Sequence, residues 1–204
     1  MLYYINKILY MRKIPVDFEC PFDNYILDLA DKTAPTAYKL GMTPNMITTL
    51  SNIATIIVVI LLFKAKWYWA AFFVLIAYYF DCLDGHLARS YNMITVFGDY
   101  YDHISDLTKV IVILTSLYII NPEKITRVLP LLIILIILSF VHLGCQELYY
   151  DEEDSPTLKF AKSLCPVPLN FTKAELESTI KNTRLFGVGT FWLSIIMIII
   201  YYDC

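Results

Sequence analysis

Five aspartates stand between residues 81 and 106 of a chain that is otherwise largely apolar. On helices, Asp81 and Asp84 share one face at i and i+3, and Asp102 and Asp106 share another at i and i+4. Carboxylates held close together repel one another, and a divalent cation removes that conflict. Ligands that are all oxygen favour Mg²⁺, Mn²⁺ or Ca²⁺ over zinc. The spacing predicts a site for one or two such ions, an arrangement that suits phosphoryl transfer.

Small residues and one arginine accompany these carboxylates. Gly85 and Ala88 extend the face of the first aspartate pair, and Gly98 precedes Asp102 by one helical turn. A bulky anionic ligand could approach the helix backbone over Gly85 and Ala88, and Arg89 could make bidentate contacts with a phosphate. The competing interpretation is a set of salt bridges at a membrane surface. It is weak, because Arg89 and Lys109 alone face five aspartates in this stretch.

The composition indicates a polytopic membrane protein. Of the 204 residues, 58% are hydrophobic and only 17% are charged, and the mean hydropathy is +0.57, well beyond the averages of soluble domains. The net charge of −3 gives no reason to expect a nucleic acid partner. We predict an all-α transmembrane bundle of five to six spans, preceded by an interfacial amphipathic helix.

The uncharged runs set the boundaries of the elements. We predict a tail and interfacial helix within residues 1–42 and a catalytic bundle over residues 43–204. The clean apolar part of the second span, residues 67–80, covers only about 21 Å of a roughly 30 Å hydrocarbon core. That span must therefore continue through Asp81 and Asp84, and the third must begin near Gly98, so that a hairpin brings the polar ends together. The predicted spans are 45–63, 67–89, 98–120, 127–148 and 184–202, with a polar segment over 149–183 in which a sixth, bent helix stays open.

Three further expectations concern particular residues. The amphipathic helix over residues 22–40 should be partly broken by Pro35. The five cysteines show no CxxC spacing and are expected to be free thiols. His142 and Glu147 either line a polar cavity or pair with each other.

The basic residues predict the orientation. Most Lys and Arg residues fall on the side that also carries the acidic cluster, whereas the short loops at Lys64/Lys66 and Lys124/Arg127 lie on the other side. The positive-inside bias places the acidic cluster at the cytoplasmic face. The membrane would be the endoplasmic reticulum if the chain is made in a eukaryote.

The motif resembles a known family. The pattern Asp81-x-x-Asp84-Gly85-x-x-Ala88-Arg89, followed by Gly98-x-x-x-Asp102-x-x-x-Asp106, is similar to the full signature of the CDP-alcohol phosphotransferase family, and Thr43-Pro44-Asn45 is similar to its segment opening the first span. The resemblance implies a membrane enzyme, often a homodimer, that transfers a substituted phosphate from a CDP-linked donor to an alcohol and releases CMP. By position it implies metal ligands (Asp81, Asp84, Asp102 and Asp106, with Mg²⁺ or Mn²⁺, two ions), a general base (Asp106) and nucleotide or phosphate contacts (Asn45, Gly85, Ala88, Arg89 and Gly98).

The acceptor alcohol stays open at this point. His86 in DGHLAR resembles phosphatidylinositol synthases, whereas His103 in DHISD resembles choline and ethanolamine phosphotransferases; both are candidate acceptor-site residues. The short length favours enzymes that use CDP-diacylglycerol, with inositol as the preferred acceptor. The same-class alternative transfers phosphocholine or phosphoethanolamine to diacylglycerol. A divalent-cation transporter is the alternative of another class, although cation passage does not require an Arg and small-residue phosphate site.

Overall fold

The structure, a computed structural model, describes residues 12–150 and 158–203, and all the regular elements within these ranges are helical. The helices are α1 (Pro21–Lys39), α2 (Pro44–Phe63), α3 (Trp67–Ser90), α4 (Val96–Ile120), α5 (Pro122–Tyr150), α6 (Lys173–Thr183) and α7 (Val188–Tyr201). Two short 3-10 helices, Lys159–Leu164 and Arg184–Phe186, flank α6. The predicted all-α class is confirmed.

Five stretches within the described ranges are long and apolar enough to cross a membrane. Four are α2, α3, α4 and α5, and the fifth, Lys173–Tyr201, combines α6, a 3-10 turn and α7. The protein is therefore a multi-pass membrane protein. The charged ends of α3 and α4 lie within their spans, as the short apolar runs predicted.

The bundle core is built where these helices meet. α2 packs most extensively against α3 and then against α4, while α7 packs against α3. Val58, Val74, Leu117 and Ile199 are fully buried in this core. Because consecutive spans run in opposite directions, the start of α2, the end of α3, the start of α4 and the end of α5 lie at the same end of the bundle.

The helix α1 covers that end of α3. It is continuous through Pro35, so the predicted break at this proline is wrong. Ile26, Ala30 and Ala34 are buried, whereas Tyr25 is exposed. The small side chains of Ala30 and Ala34 let α1 pack closely against α3.

The prediction of free thiols fails at two positions. Cys145, near the end of α5, forms a disulfide with Cys165, which follows the first 3-10 helix. The backbones approach closely here, since a Cβ on Gly144 would lie 2.0 Å from the carbonyl oxygen of Ala161. This contact, which no local sequence spacing reveals, brings the two sulfur atoms together. Cys20 and Cys82 are free, and Cys204 lies outside the described residues.

Candidate active site

The hairpin of α3 and α4 positions the acidic residues. α3 carries Asp81 and Asp84 in its last turns, and α4 begins at Val96, so that Asp102 lies in an early turn. Thr95 caps α4, because its hydroxyl oxygen accepts a hydrogen bond of 3.0 Å from the backbone N–H of Gly98. The cap fixes the first turn of α4 beside the end of α3.

Three of the four predicted metal ligands form a tight cluster. One carboxylate oxygen from each of Asp81, Asp102 and Asp106 lies within 4.8 Å of the others. The ammonium group of Lys109 donates to Asp106 at 2.9 Å and also to Asp81. Its side chain is only 2% exposed. The sequence showed Lys109 as a nearby cation but did not show that it bridges two of the carboxylates.

Asp84 stands slightly apart from this cluster. Its Oδ2 accepts a hydrogen bond of 2.5 Å from the hydroxyl of Thr48 on α2. Asp84 is 2% exposed, so a buried hydroxyl donor holds its carboxylate in one orientation. Thr48 is thus a supporting residue of the site that the aspartate pattern alone could not show.

The residues present fit a divalent cation. Among the described residues, Asp102 Oδ1 is buried and has no hydrogen-bond donor, which is the state of an oxygen that can still take a ligand. Within the part of the chain that the structure describes, the ammonium group of Lys109 bridges two of the four carboxylates, those of Asp81 and Asp106, so the acidic charge exceeds this counter-charge. An acidic, all-oxygen set of this kind suits Mg²⁺ or Mn²⁺.

A cavity of about 370 Å³ opens beside the cluster. Asp102 belongs both to the cluster and to the cavity wall, so it joins the two. This part of the wall also contains all five residues predicted to contact nucleotide or phosphate, namely Asn45, Gly85, Ala88, Arg89 and Gly98. Thr48, Asp84 and His103 line it as well.

Two glycines allow close approaches in this wall. A Cβ on Gly85 would lie 3.2 Å from Nη1 of Arg89, so the guanidinium group folds over the bare backbone of α3. A Cβ on Gly98 would lie 2.9 Å from Thr95 Oγ1 and 3.2 Å from Asn45 Oδ1. The absence of side chains at both positions therefore keeps Arg89 and Asn45 at the cavity.

The structure places the two candidate acceptor-site histidines differently. His103 lines the cavity, and its Nδ1 lies 2.7 Å from the carbonyl oxygen of Asp99. His86 is 1% exposed and lies against α1, with Nε2 2.9 Å from Asp31 Oδ1. His86 is not among the described residues that line the cavity.

Another part of the cavity wall comes from residues far apart in the sequence. Lys13 from the N-terminal segment joins Glu147 and Tyr150 at the end of α5 and Leu158 beyond it. Lys13 and Glu147 form an ion pair. The pKa of Lys13 lies below its usual value because the side chain is buried, and the adjacent Glu147 carboxylate offsets part of this shift. For Glu147 the predicted alternative of lining a polar cavity is confirmed, whereas no local pattern indicates Lys13.

A buried polar network lies behind this pair. Nδ1 of His142 lies 3.0 Å from the Thr183 hydroxyl, and its Nε2 lies 3.1 Å from Gln146. Gln146 also donates to Glu19 at 3.1 Å. His142 and Glu147 thus have separate partners, and the alternative in which they pair with each other is wrong.

Comparison with known proteins gives one match. The sequence model described as CDP-alcohol phosphatidyltransferase matches residues 41–165, more than half of the chain. No curated protein and no solved structure shows significant similarity to the chain. The matched region contains the acidic cluster and most of the cavity wall.

Proposed function

This chain belongs to the CDP-alcohol phosphatidyltransferase family and is a phosphotransferase, and on that premise we propose that it makes a phospholipid from CDP-diacylglycerol. The acceptor is the hydroxyl of a small alcohol, with inositol as the first choice, and CMP is released. One observation carries this proposal. The acidic cluster adjoins a cavity whose wall holds Arg89 beside the bare backbone of Gly85, which suits a pyrophosphate.

The chain's own groups have separate roles in this reaction. Asp106 accepts the proton of the acceptor hydroxyl, and the alcohol oxygen forms a bond to the phosphorus that carries diacylglycerol. The bond from this phosphorus to the bridging oxygen breaks, and CMP leaves with that oxygen. Lys109 holds the Asp106 carboxylate in place through its 2.9 Å contact, and Arg89 binds the phosphate oxygens.

We assign the metal to the four carboxylates of Asp81, Asp84, Asp102 and Asp106. One or two ions of Mg²⁺ or Mn²⁺ would, when bound there, offset the charge that builds up on the pyrophosphate. Asn45 and Gly98 would contact the nucleotide, and Ala88 leaves room for the donor.

The position of the acidic cluster in the membrane suits a lipid donor. The cluster lies at the ends of two spans, where a CDP-linked lipid can enter from the bilayer and a soluble alcohol from the aqueous side. We propose that this is the cytoplasmic face, on the distribution of Lys and Arg, in the endoplasmic reticulum if the cell is eukaryotic. On the family resemblance we also propose a homodimer.

The test is an assay of purified protein in detergent with Mg²⁺ or Mn²⁺. CMP release is followed from CDP-diacylglycerol, CDP-choline and CDP-ethanolamine with a panel of alcohols and with diacylglycerol. We expect turnover with CDP-diacylglycerol and inositol. Release from CDP-choline or CDP-ethanolamine alone would identify the same-class alternative. No CMP from any donor would refute the proposal, and metal-dependent ion uptake into liposomes would then support transport.

A further inference from the structure

The cavity has a second polar wall that the family motif does not reach. Lys13 and Glu147 form its charged part, and Tyr150 adds an aromatic ring whose centroid lies 5.9 Å from Lys13 Nζ. The Glu147 side chain is 3% exposed and that of Lys13 is 22% exposed. A carboxylate this buried at a cavity needs a polar partner, and the ammonium group of Lys13 supplies it.

The N-terminal segment is anchored on both sides of Lys13. Arg12 is buried and donates to Asn24 at 2.8 Å and to Asp28 at 2.5 Å. Ile14 is 2% exposed in a second apolar cluster formed with α5 and α6. Because its neighbours are fixed, Lys13 is held at the cavity with little freedom to move away.

We propose that the Lys13–Glu147 pair binds the acceptor and that this acceptor is an uncharged alcohol with several hydroxyl groups. The inference rests on the proposed function and names the substrate class of the same cavity. The cavity wall that carries the aspartates supplies their carboxylates and Arg89 to the donor. Lys13 and Glu147 together carry no net charge.

The chemistry of the pair selects against acceptors that carry a net charge. An anionic alcohol would place its charge against Glu147, and a cationic alcohol would meet Lys13 with Arg89 nearby. A polyol offers hydroxyl donors to Glu147 and hydroxyl acceptors to Lys13 at the same time. Both charges then keep a partner when the alcohol enters between them, so neither pays the cost of an unpaired buried charge.

The experiment compares acceptor and donor kinetics in the full-length protein. Lys13→Gln and Glu147→Gln are assayed with CDP-diacylglycerol and myo-inositol, with glycerol, L-serine and choline as further acceptors. Each variant leaves one charge unpaired, so we expect the KM for myo-inositol to rise at least about tenfold while the donor KM changes less than about twofold. The matched controls are Lys66→Gln and Glu123→Gln, which are exposed at the other end of the bundle and should keep both KM values.

A double variant separates binding from a purely structural role. Lys13→Met combined with Glu147→Met removes both charges, so thermal stability should stay close to that of the wild type, yet the acceptor KM should remain raised. A double variant with the wild-type acceptor KM would overturn the inference, as would faster turnover of serine or choline than of any polyol.

A binding measurement keeps this inference separate from the proposed reaction. Myo-inositol alone should raise the Tm of the wild type and not of Lys13→Gln. Absence of CMP release from every donor would overturn the proposed function, while this shift would still support the binding site. No shift in the wild type at saturating myo-inositol or glycerol would overturn it.

Discussion

The ammonium group of Lys109 lies 2.9 Å from the carboxylate of Asp106 and also contacts Asp81. This ammonium group lies between two of the carboxylates that we propose as metal ligands. Removing it should leave both without their counter-charge, at a cost of about 3–5 kcal/mol for a buried pair.

Lys109→Met tests this relationship. We expect a clear loss of thermal stability without added metal and a larger rise of Tm on titration with Mn²⁺ than in the wild type, because the bound ion replaces the lost charge. Lys66→Met, exposed at the other end of the bundle, is the matched control. An equal response to Mn²⁺ in wild type and Lys109→Met would contradict the assignment.

Asp106→Asn tests the general base. The amide keeps the shape of the side chain but cannot take the proton, so turnover should fall by at least about a hundredfold. Donor binding, measured by the Tm shift with CDP-diacylglycerol, should change much less. Normal turnover in this variant would show that another group accepts the proton.

Glu19 should make stability depend on pH. Its burial, followed by the nearby Asp23 carboxylate, raises its pKa from 4.5 to about 7. The folded state therefore holds this proton more tightly than the unfolded state. The stabilising contribution is complete below about pH 4.5 and is lost as the pH rises through about 7.

The Glu19→Gln variant has no proton to lose at this position, so its stability should not fall as the pH rises through about 7. The variant should unfold at nearly the wild-type temperature at pH 5 and should be more stable than the wild type at pH 8, by roughly 2–3 kcal/mol. Thermal unfolding in detergent at the two pH values measures the difference, with Glu123→Gln as the exposed control. The same pH slope in wild type and Glu19→Gln would contradict the assignment.

The disulfide should resist alkylation and contribute to stability. Without reduction, denatured protein should show alkylated Cys20 and Cys82 but unmodified Cys145 and Cys165. Reduction should lower the free energy of unfolding by about 3 kcal/mol, because the bond closes a loop between cysteines 20 residues apart. Cys165→Ser should be insensitive to reductant in a thermal unfolding assay. Alkylation of Cys145 before reduction would refute the bond.

Asn170 reports the orientation of the membrane protein. The sequence Asn170-Phe171-Thr172 is a glycosylation sequon, and Asn170 is exposed beyond the 3-10 helix that the disulfide ties to α5. The cytoplasmic orientation predicts no glycan on expression in eukaryotic cells. The disulfide argues for the other side, since such bonds persist in oxidising compartments. A shift in mobility on glycosidase treatment would reverse the proposed orientation.

The sequence by itself determined the fold class and the chemistry of one cavity wall. Uncharged runs too short to span forced Asp81, Asp84, Asp102 and Asp106 onto the ends of two helices, and the turn between them is short enough to impose their meeting. Helical spacing and local chain connection are properties of the sequence alone, so this half of the site could be predicted.

Tertiary structure alone decided the other half. The pairing of Lys13 with Glu147, the bond between Cys145 and Cys165, and the turn of His86 towards α1 depend on contacts across long stretches of chain. No local period encodes such contacts, because they follow from how the N-terminal segment, α1 and the end of α5 pack around the bundle. The sequence thus defined the wall around the aspartates, and packing defined the wall that we propose for the alcohol.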